Sequence, residues 1–315
     1  MPWLLSCVLW IAATTAAPAA TDRLAEIRAR GTLICGIWPH VPGFAMERGG
    51  RYTGFEVDVC RAVAAAIIGD ADKVGFVPLA SIAQFASRPD IDLAIRRLTW
   101  TLGREAASGT NFGPVVFYDG QGFLVPKDGG IHDIAQLAGE RVCVIDQERH
   151  PETLDRYFRD NGRGVQLVPV ASDSAAEQAL RSHRCRAYSA DLSWLAAARA
   201  GFPSGLARFD LLPGLISKEP LAPLLRAEDA GLLRLVRWTI YTLIEAEELG
   251  ISSRNVGVAG SRLPDARARA IIAAVGNYGE VYDRNLGVGS PIRLDRGLNR
   301  LWNQGGLMYA PPLDR

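Results

Sequence analysis

The sequence predicts an α/β protein built as two doubly wound lobes, and three observations carry that prediction. Strand-like and helix-like stretches alternate from residue 33 to residue 200. The chain of 315 residues is about twice an ordinary single-domain length. The alternation also breaks after residue 117 and restarts after residue 130, which divides it into two blocks. Parallel strands joined by helices need both faces of their sheet covered, and two lobes that each wrap their own sheet meet that need.

In the first block, residues 33–38 read as a buried strand. Residues 56–68 read as a helix, with Val57, Val59, Val63 and Ala64 set among polar neighbours, and residues 74–78 and 92–95 as further strands. Residues 117–125 read as one long extended segment. The second block runs helix 131–138, strand 141–145, helix 151–159, strand 165–170, helix 172–184, strand 187–191 and helix 192–200. Pro151 opens its helix at a position where the missing N–H would have had no helical partner. The last third begins with one long helix over 229–249. Leu232, Leu235, Val236, Ile240, Leu243 and Ile244 form a broad apolar face on it, and Gly250 follows its end. A Gly- and Arg-rich stretch, a helix at 266–275 and a tail containing Pro311-Pro312 complete the chain. No internal repeat is found.

A hydrophobic fraction of 48% and a charged fraction of 22% are those of an ordinary globular chain, which excludes a disordered, collagenous or coiled-coil whole. Thirty-five Lys and Arg against 34 Asp and Glu leave a net charge of +1, with no long run of either sign. No field exists to draw in a polyanion, so nucleic acid is not an expected partner. Residues 1–21 carry no charge at all. An apolar core over 4–13, small residues over 14–20 and the A-x-A site Ala17-Pro18-Ala19 predict a secretory signal peptide over 1–20, without a basic residue ahead of the core. That run is too short to span a bilayer, and no other segment approaches the length.

Export delivers thiols to an oxidising compartment, where they pair. Cys7 leaves with the leader, and Cys35, Cys60, Cys143 and Cys185 remain. Four cysteines allow three connectivities; their layout favours Cys35 with Cys60 and Cys143 with Cys185, each pair stapling one block. Zinc is the competing reading, but the chain has no C-x-x-C and no close histidine pair.

Common enzyme signatures are absent: no phosphate-binding G-x-x-x-x-G-K-[ST], no G-x-S-x-G, no H-E-x-x-H, and no G-x-G-x-x-G after a strand. No cofactor and no metal are expected. Thr99-Trp100-Thr101-Leu102-Gly103-Arg104 stands out instead, directly after the strand at 92–95. Ligands of α/β sheets collect at the carboxyl ends of strands, and a planar guanidinium matches a carboxylate. Tyr188-Ser189-Ala190-Asp191 puts a carboxylate at the corresponding end of a strand in the second block. Arg104 and Asp191 together make a clamp for a zwitterion, with two solvated surface charges as the other reading of the same spacing.

Gly54-Phe55-Glu56-Val57-Asp58-Val59-Cys60-Arg61-Ala62-Val63-Ala64 resembles the signature of the family 3 bacterial extracellular solute-binding proteins, periplasmic receptors that deliver amino acids to ABC importers. Further stretches are similar to the general L-amino-acid receptor subgroup over nearly the whole mature chain. Among them are Tyr118-Asp119-Gly120-Gln121-Gly122-Phe123, Lys218-Glu219-Pro220-Leu221 and Gly305-Gly306-Leu307-Met308-Tyr309. The resemblance implies a type II periplasmic-binding-protein fold with a ligand cleft between two lobes. Crossovers near 123–125 and 221–225 would place 21–122 and 226–315 in lobe 1 and 123–225 in lobe 2. It also implies cysteines at the four positions named above. Arg104 would hold a ligand α-carboxylate, Thr99 would donate a hydroxyl hydrogen bond, and Asp191 would take the α-ammonium. The implied partners are an amino acid or related carboxylate and an inner-membrane ABC permease, with the receptor a periplasmic monomer.

Three departures from the subgroup fall around that pocket. Asp146-Gln147-Glu148-Arg149-His150 replaces the usual Gly-Thr loop. Trp38-Pro39-His40 is bulkier than usual, and is expected to stack on a ligand or to fill part of the cleft. Arg97 stands where a small or neutral residue is usual and adds positive charge. Two other functions fit such changes. One is a lyase or dehydratase on the same scaffold, with Glu148 or His150 as acid or base. The other is a receptor-like module that serves sensing or interaction rather than uptake.

Overall fold

Two five-stranded sheets of matching strand order carry the molecule. The computed structural model describes residues 22–145, 150–258, 262–263 and 265–313. The expected leader 1–20 and most of the altered loop, residues 146–149, lie outside the described residues.

The first part of the chain runs α1 (Arg23–Arg30), β1 (Leu33–Ile37) and a small antiparallel sheet of β2 (His40–Val41), β3 (Ala45–Arg48) and β4 (Arg51–Thr53). It continues through α2 (Phe55–Ile68), β5 (Val74–Pro78), α3 (Ile82–Ser87), β6 (Leu93–Ala94), α4 (Leu102–Ser108) and β7 (Thr110–Phe112). After β8 (Phe117–Asp119) the chain enters the second sheet with β9 (Gln121–Pro126). Then follow β10 (Arg141–Ile145), α5 (His150–Asp160), β11 (Gln166–Val170), α6 (Asp173–Arg181), β12 (Ala187–Asp191), α7 (Leu192–Gly201), α8 (Gly205–Arg208) and β13 (Phe209–Leu211). It returns through β14 (Glu219–Leu221), which pairs with β8, and β15 (Leu224–Arg226), which rejoins the first sheet. The helices α9 (Ala230–Glu248), α10 (Ala266–Val275) and α11 (Tyr278–Asn285) then pack on the first lobe.

The sheet orders are β5-β1-β6-β15-β7 and β11-β10-β12-β9-β13. In each, four strands run in one direction and one runs against them, β15 in the first sheet and β9 in the second. Mixed sheets replace the parallel ones that alternation alone suggests, because the segments linking the lobes enter their sheets from the far end. The extended segment expected over 117–125 is two strands of different ladders. Gly120 divides them where a Cβ would lie 2.5 Å from the Ser217 carbonyl oxygen. The helix expected over 131–138 shrinks to a 3-10 turn, Ile134–Leu137, held by a capping box between Asp133 and Gln136. Gly130 and Gly139, both at positive φ, flank the segment.

Four positions of the 54–64 run have a clear packing reason. Gly54 has φ 137°, and a Cβ there would sit 2.2 Å from the Phe44 carbonyl oxygen. Phe55 is fully buried among Phe44, Phe117, Tyr278 and Tyr282, with ring centroids 5.8–6.4 Å away. Asp58 accepts hydrogen bonds from Arg284 Nε at 2.8 Å and Asn285 Nδ2 at 2.6 Å, which fastens α11 to α2. Cys60 is bonded to Cys35, and Cys143 to Cys185, so of the three connectivities the two local pairs form. No helix among the described residues is long and apolar enough to cross a membrane.

Candidate functional site

A cleft of about 350 Å³ lies where the carboxyl ends of parallel strands from both sheets meet. Trp38 follows β1 and Arg96, Arg97, Leu98 and Thr99 follow β6 on one wall; Ile145 ends β10 and Asp191 ends β12 on the other. A roomier hollow of about 490 Å³ is walled by α1, α2, α9, α10 and the C-terminal tail, so no strand end reaches it.

Arg104 is placed by the cap of its own helix. The Thr101 hydroxyl accepts the Arg104 N–H at 3.2 Å, and the Arg104 guanidinium donates from Nη1 to the Thr99 carbonyl at 2.8 Å. That segment is pinned in turn to the returning chain. Trp100 donates its N–H to the Pro220 carbonyl at 2.7 Å, and Thr99 Oγ1 donates to Glu219 Oε2 at 2.6 Å. The Thr99 hydroxyl, expected to serve a ligand, therefore already serves Glu219.

Asp191 stands where β12 turns into α7. His150 Nε2 lies 3.0 Å from its Oδ1, and Arg97 Nη2 donates to its Oδ2 at 3.4 Å. Burial alone raises the Asp191 carboxyl. The His150 hydrogen bond and the charges of Arg97, His150 and Arg104 outweigh that and hold it below the ordinary aspartate range.

Arg97 is the most constrained of the site residues. Its backbone is left-handed, with φ 51°, which few non-glycine residues adopt. Its N–H donates to Glu56, a fully buried carboxyl that desolvation pushes up to about 7 against the pull of Arg97 and Arg96. Only 6% of the Arg97 side chain is exposed. Its Nη2 donates to Ser193 Oγ at 2.7 Å and to Asp119 Oδ2 at 3.4 Å, and the guanidinium lies 5.1 Å from the Phe44 ring and 5.8 Å from that of Trp194. The Asp119 carboxyl, buried beneath it, is raised to about 6 by desolvation and by the Asp191 charge.

The structure thus gathers Arg104, Thr99, Asp191, Trp38 and Arg97 around one cleft. His40 is not among the lining residues. It sits exposed on β2, because the short antiparallel pairing with Met46 turns it outward. Trp38 stacks on Trp194 of the opposite wall, with centroids 6.1 Å apart and planes 20° from parallel. Glu148 lies outside the described residues, and His150, the other acid–base candidate, faces Asp191. No cluster of His, Cys, Asp or Glu suited to a metal occurs among the described residues.

Sequence reasoning missed Glu56, Asp119, Gln121, Ser193, Trp194 and Glu219. Glu56, Asp119, Gln121 and Glu219 lie inside stretches that resemble the family or its amino-acid receptors, and that was the available signal. Gln121 is buried and donates from Nε2 to the Ser189 hydroxyl and the His150 carbonyl, both at 3.0 Å, which ties β9 to the cleft wall.

The profile of the bacterial extracellular solute-binding proteins, family 3, matches residues 33–255. The chain belongs to this family. It is 39% identical to the glutamate/glutamine/aspartate/asparagine-binding protein BztA of Rhodobacter capsulatus, over 96% of both chains. It is 37% identical to the general L-amino acid-binding periplasmic protein AapJ of Rhizobium johnstonii, over 98% of both. Among solved structures it is similar to an ABC transporter periplasmic binding protein from Brucella ovis with glutathione bound. There the identity is 36% and the TM-score 0.79, with 93% of this chain and 99% of that one covered. The fold is accordingly the two-lobed, type II fold of the periplasmic binding proteins, and the family's members act by binding solutes.

Proposed function

We propose that this chain is the periplasmic receptor of an amino-acid ABC importer. Exported by the leader at 1–20, it closes two lobes, 21–122 with 226–315 and 123–225, on an amino acid or related small carboxylate. It then presents that solute, as a monomer, to an inner-membrane permease. The names of BztA and AapJ support the solute class. The observation that carries the reading is the placement of Arg104 and Asp191 on opposite walls of a cleft sized for a small solute.

A guanidinium meets a carboxylate with a fork of parallel N–H donors, and exclusion of water on closure makes that match selective. A solute lacking the carboxylate leaves the guanidinium unpaired in low dielectric, which is costly. The reading gives no residue a catalytic part. Isothermal calorimetry with the amino acids and with small mono- and dicarboxylates tests it. At least one is expected to bind at micromolar concentration, and Arg104→Ala is expected to weaken that ligand by roughly two to three decades. A thermal-shift screen of the same set should move in step, since a ligand that binds only the folded state stabilises it. Absence of any binder at millimolar concentration overturns the reading.

A further inference from the structure

We propose that Arg199, which lies outside the cleft, is a latch that holds the two lobes together and so sets how tightly this receptor grips any solute without touching one. The inference rests on the reading of the chain as a solute receptor, and it deepens that reading by naming a residue that positions the lobes.

Arg199 is carried by α7, the helix of the second lobe that Asp191, Ser193 and Trp194 open. This helix has two buried sides. Leu195 packs in a core of the second lobe, while Ala196 and Ala197 pack in the large core of the first. Farther along, Arg199 is 8% exposed, and its Nη2 donates to the carbonyls of Ile292 at 3.3 Å and Arg293 at 3.2 Å. Those carbonyls are fixed to the first lobe. Ile292 and Leu294 are buried in its core, and the Leu294 N–H is bonded to the Leu286 carbonyl at 2.8 Å. A buried guanidinium of one lobe is thus hydrogen-bonded to the backbone of the other, and bonds from a cation are among the stronger ones.

Arg199 lines a hollow of about 780 Å³ walled by Tyr118, Asp119 and Lys218 of the linking segments; among the described residues it shares no lining residue with the cleft. Between the two large sheets, β8 and β14 form a two-stranded sheet of their own. Rotation about that ribbon swings α7 against 292–294 and parts Arg199 from its acceptors. In this structure the cleft walls meet: Arg97 donates to Ser193 at 2.7 Å and to Asp191 at 3.4 Å, and Trp38 stacks on Trp194. The Arg199 bonds therefore belong to the closed arrangement. A solute that touches both walls binds that arrangement, and its observed affinity is the intrinsic one scaled by the closed fraction. A contact made only on closure raises that fraction equally for every solute. Loss of Arg199 weakens all of them by one factor, whereas loss of Arg104 strikes those that carry a carboxylate.

Calorimetry with the amino-acid set and small-angle X-ray scattering test this. Arg199→Met keeps an apolar stem and removes the donors. It is expected to weaken every solute that the wild type binds by about the same tenfold and to leave their order unchanged. Without solute its radius of gyration is expected to exceed that of the wild type, and with saturating solute the two are expected to coincide. Arg199→Lys keeps a cationic donor and is expected to recover part of the affinity. Unchanged affinity overturns the inference. Losses that differ among solutes by more than about threefold overturn it too, as do equal radii without solute. Should Arg199→Met fail to fold, Arg199→Gln, which keeps a neutral donor, is read by the same outcomes. A wild type that binds no solute defeats the receptor reading alone, and the solute-free radius then decides whether Arg199 holds the lobes together.

Discussion

The two lobes share a strand order and differ in what they bring to the cleft. Each frame sets four strands in one direction with a single strand, β15 or β9, running against them. The first lobe lines the cleft with three guanidiniums, Arg96, Arg97 and Arg104; among the described residues the second contributes the carboxylates of Asp191 and Glu219 and the imidazole of His150. Their interiors differ in the same direction. The first has a large core in which α2, α9, α10 and α11 enclose Phe44, Phe55, Phe117, Tyr278 and Tyr282, and a smaller one around Leu79, Phe85 and Phe112. The second is split by its sheet into two smaller cores, one around Phe123, Leu154 and Phe158 and one around Leu124, Leu180 and Leu195. Gathering like charges at one rim is unfavourable, and the lobe with the larger core is the one that sustains it.

Truncation of the central ring in each core sharpens that contrast most. Phe55→Ala removes a ring with four aromatic neighbours and is expected to lower the unfolding free energy by about 4–5 kcal/mol. Phe158→Ala, with Phe123 and Tyr157 as its ring neighbours, is expected to cost about 3 kcal/mol. Urea titrations followed by circular dichroism measure both, and equal costs would break the comparison. The disulfides come next. Loop closure across separations of 25 and 42 residues is worth about 3.5 and about 4 kcal/mol. The values are close, but the lobes that receive them are not. Cys143→Ala with Cys185→Ala is expected to split the calorimetric melt into two transitions as the second lobe unfolds first. Cys35→Ala with Cys60→Ala is expected to lower a single one. A single transition in both double variants contradicts the difference between the lobes.

The parts of this architecture that were legible in the sequence are those fixed by local pattern. Strands 74–78, 141–145 and 187–191 and helix 266–275 form over the residues their apolar runs mark, because buried strands and one-sided helices leave those periods in any chain. Strand direction leaves no such trace, so the antiparallel course of β9 and β15 was not readable. The short helices α1, α4 and α11 and the sheet β2–β4 carry too few apolar positions to register. In the site, Arg104 and Asp191 could be found because each follows a strand. Their company could not: Glu219 comes to Thr99 across 120 residues of sequence, Asp191 to Arg97 across 94 and Asn299 to Tyr118 across 181. Arg97 was visible as an extra charge, and its burial against the opposite wall was not.

The smallest expected effect concerns the carboxyls beneath those cations. Glu56 is raised from 4.5 to about 7, first by burial and then against the opposing pull of the Arg97 N–H and the charges of Arg97 and Arg96. In the unfolded chain it ionises near 4.5, so the folded state holds the proton over a window where the unfolded state has released it. Stability from this group is therefore full below pH 4.5, declines as pH rises from 4.5 to about 7, and is flat above; the total decline is of order 3 kcal/mol. Asp119, raised from 3.8 to about 6 by burial and by Asp191, declines in the same sense over a lower window. Asp191, held down by its cations, slopes the other way, losing stability as pH falls below the ordinary aspartate range. Glu56→Gln keeps an acceptor for the Arg97 N–H and removes only the first of these titrations. Subtracting its unfolding free energies from those of the wild type between pH 4 and pH 8 isolates Glu56. The expected difference is a fall toward higher pH centred between 4.5 and 7, and a flat difference would show that the first lobe keeps Glu56 ionised under its guanidiniums, as the second keeps Asp191.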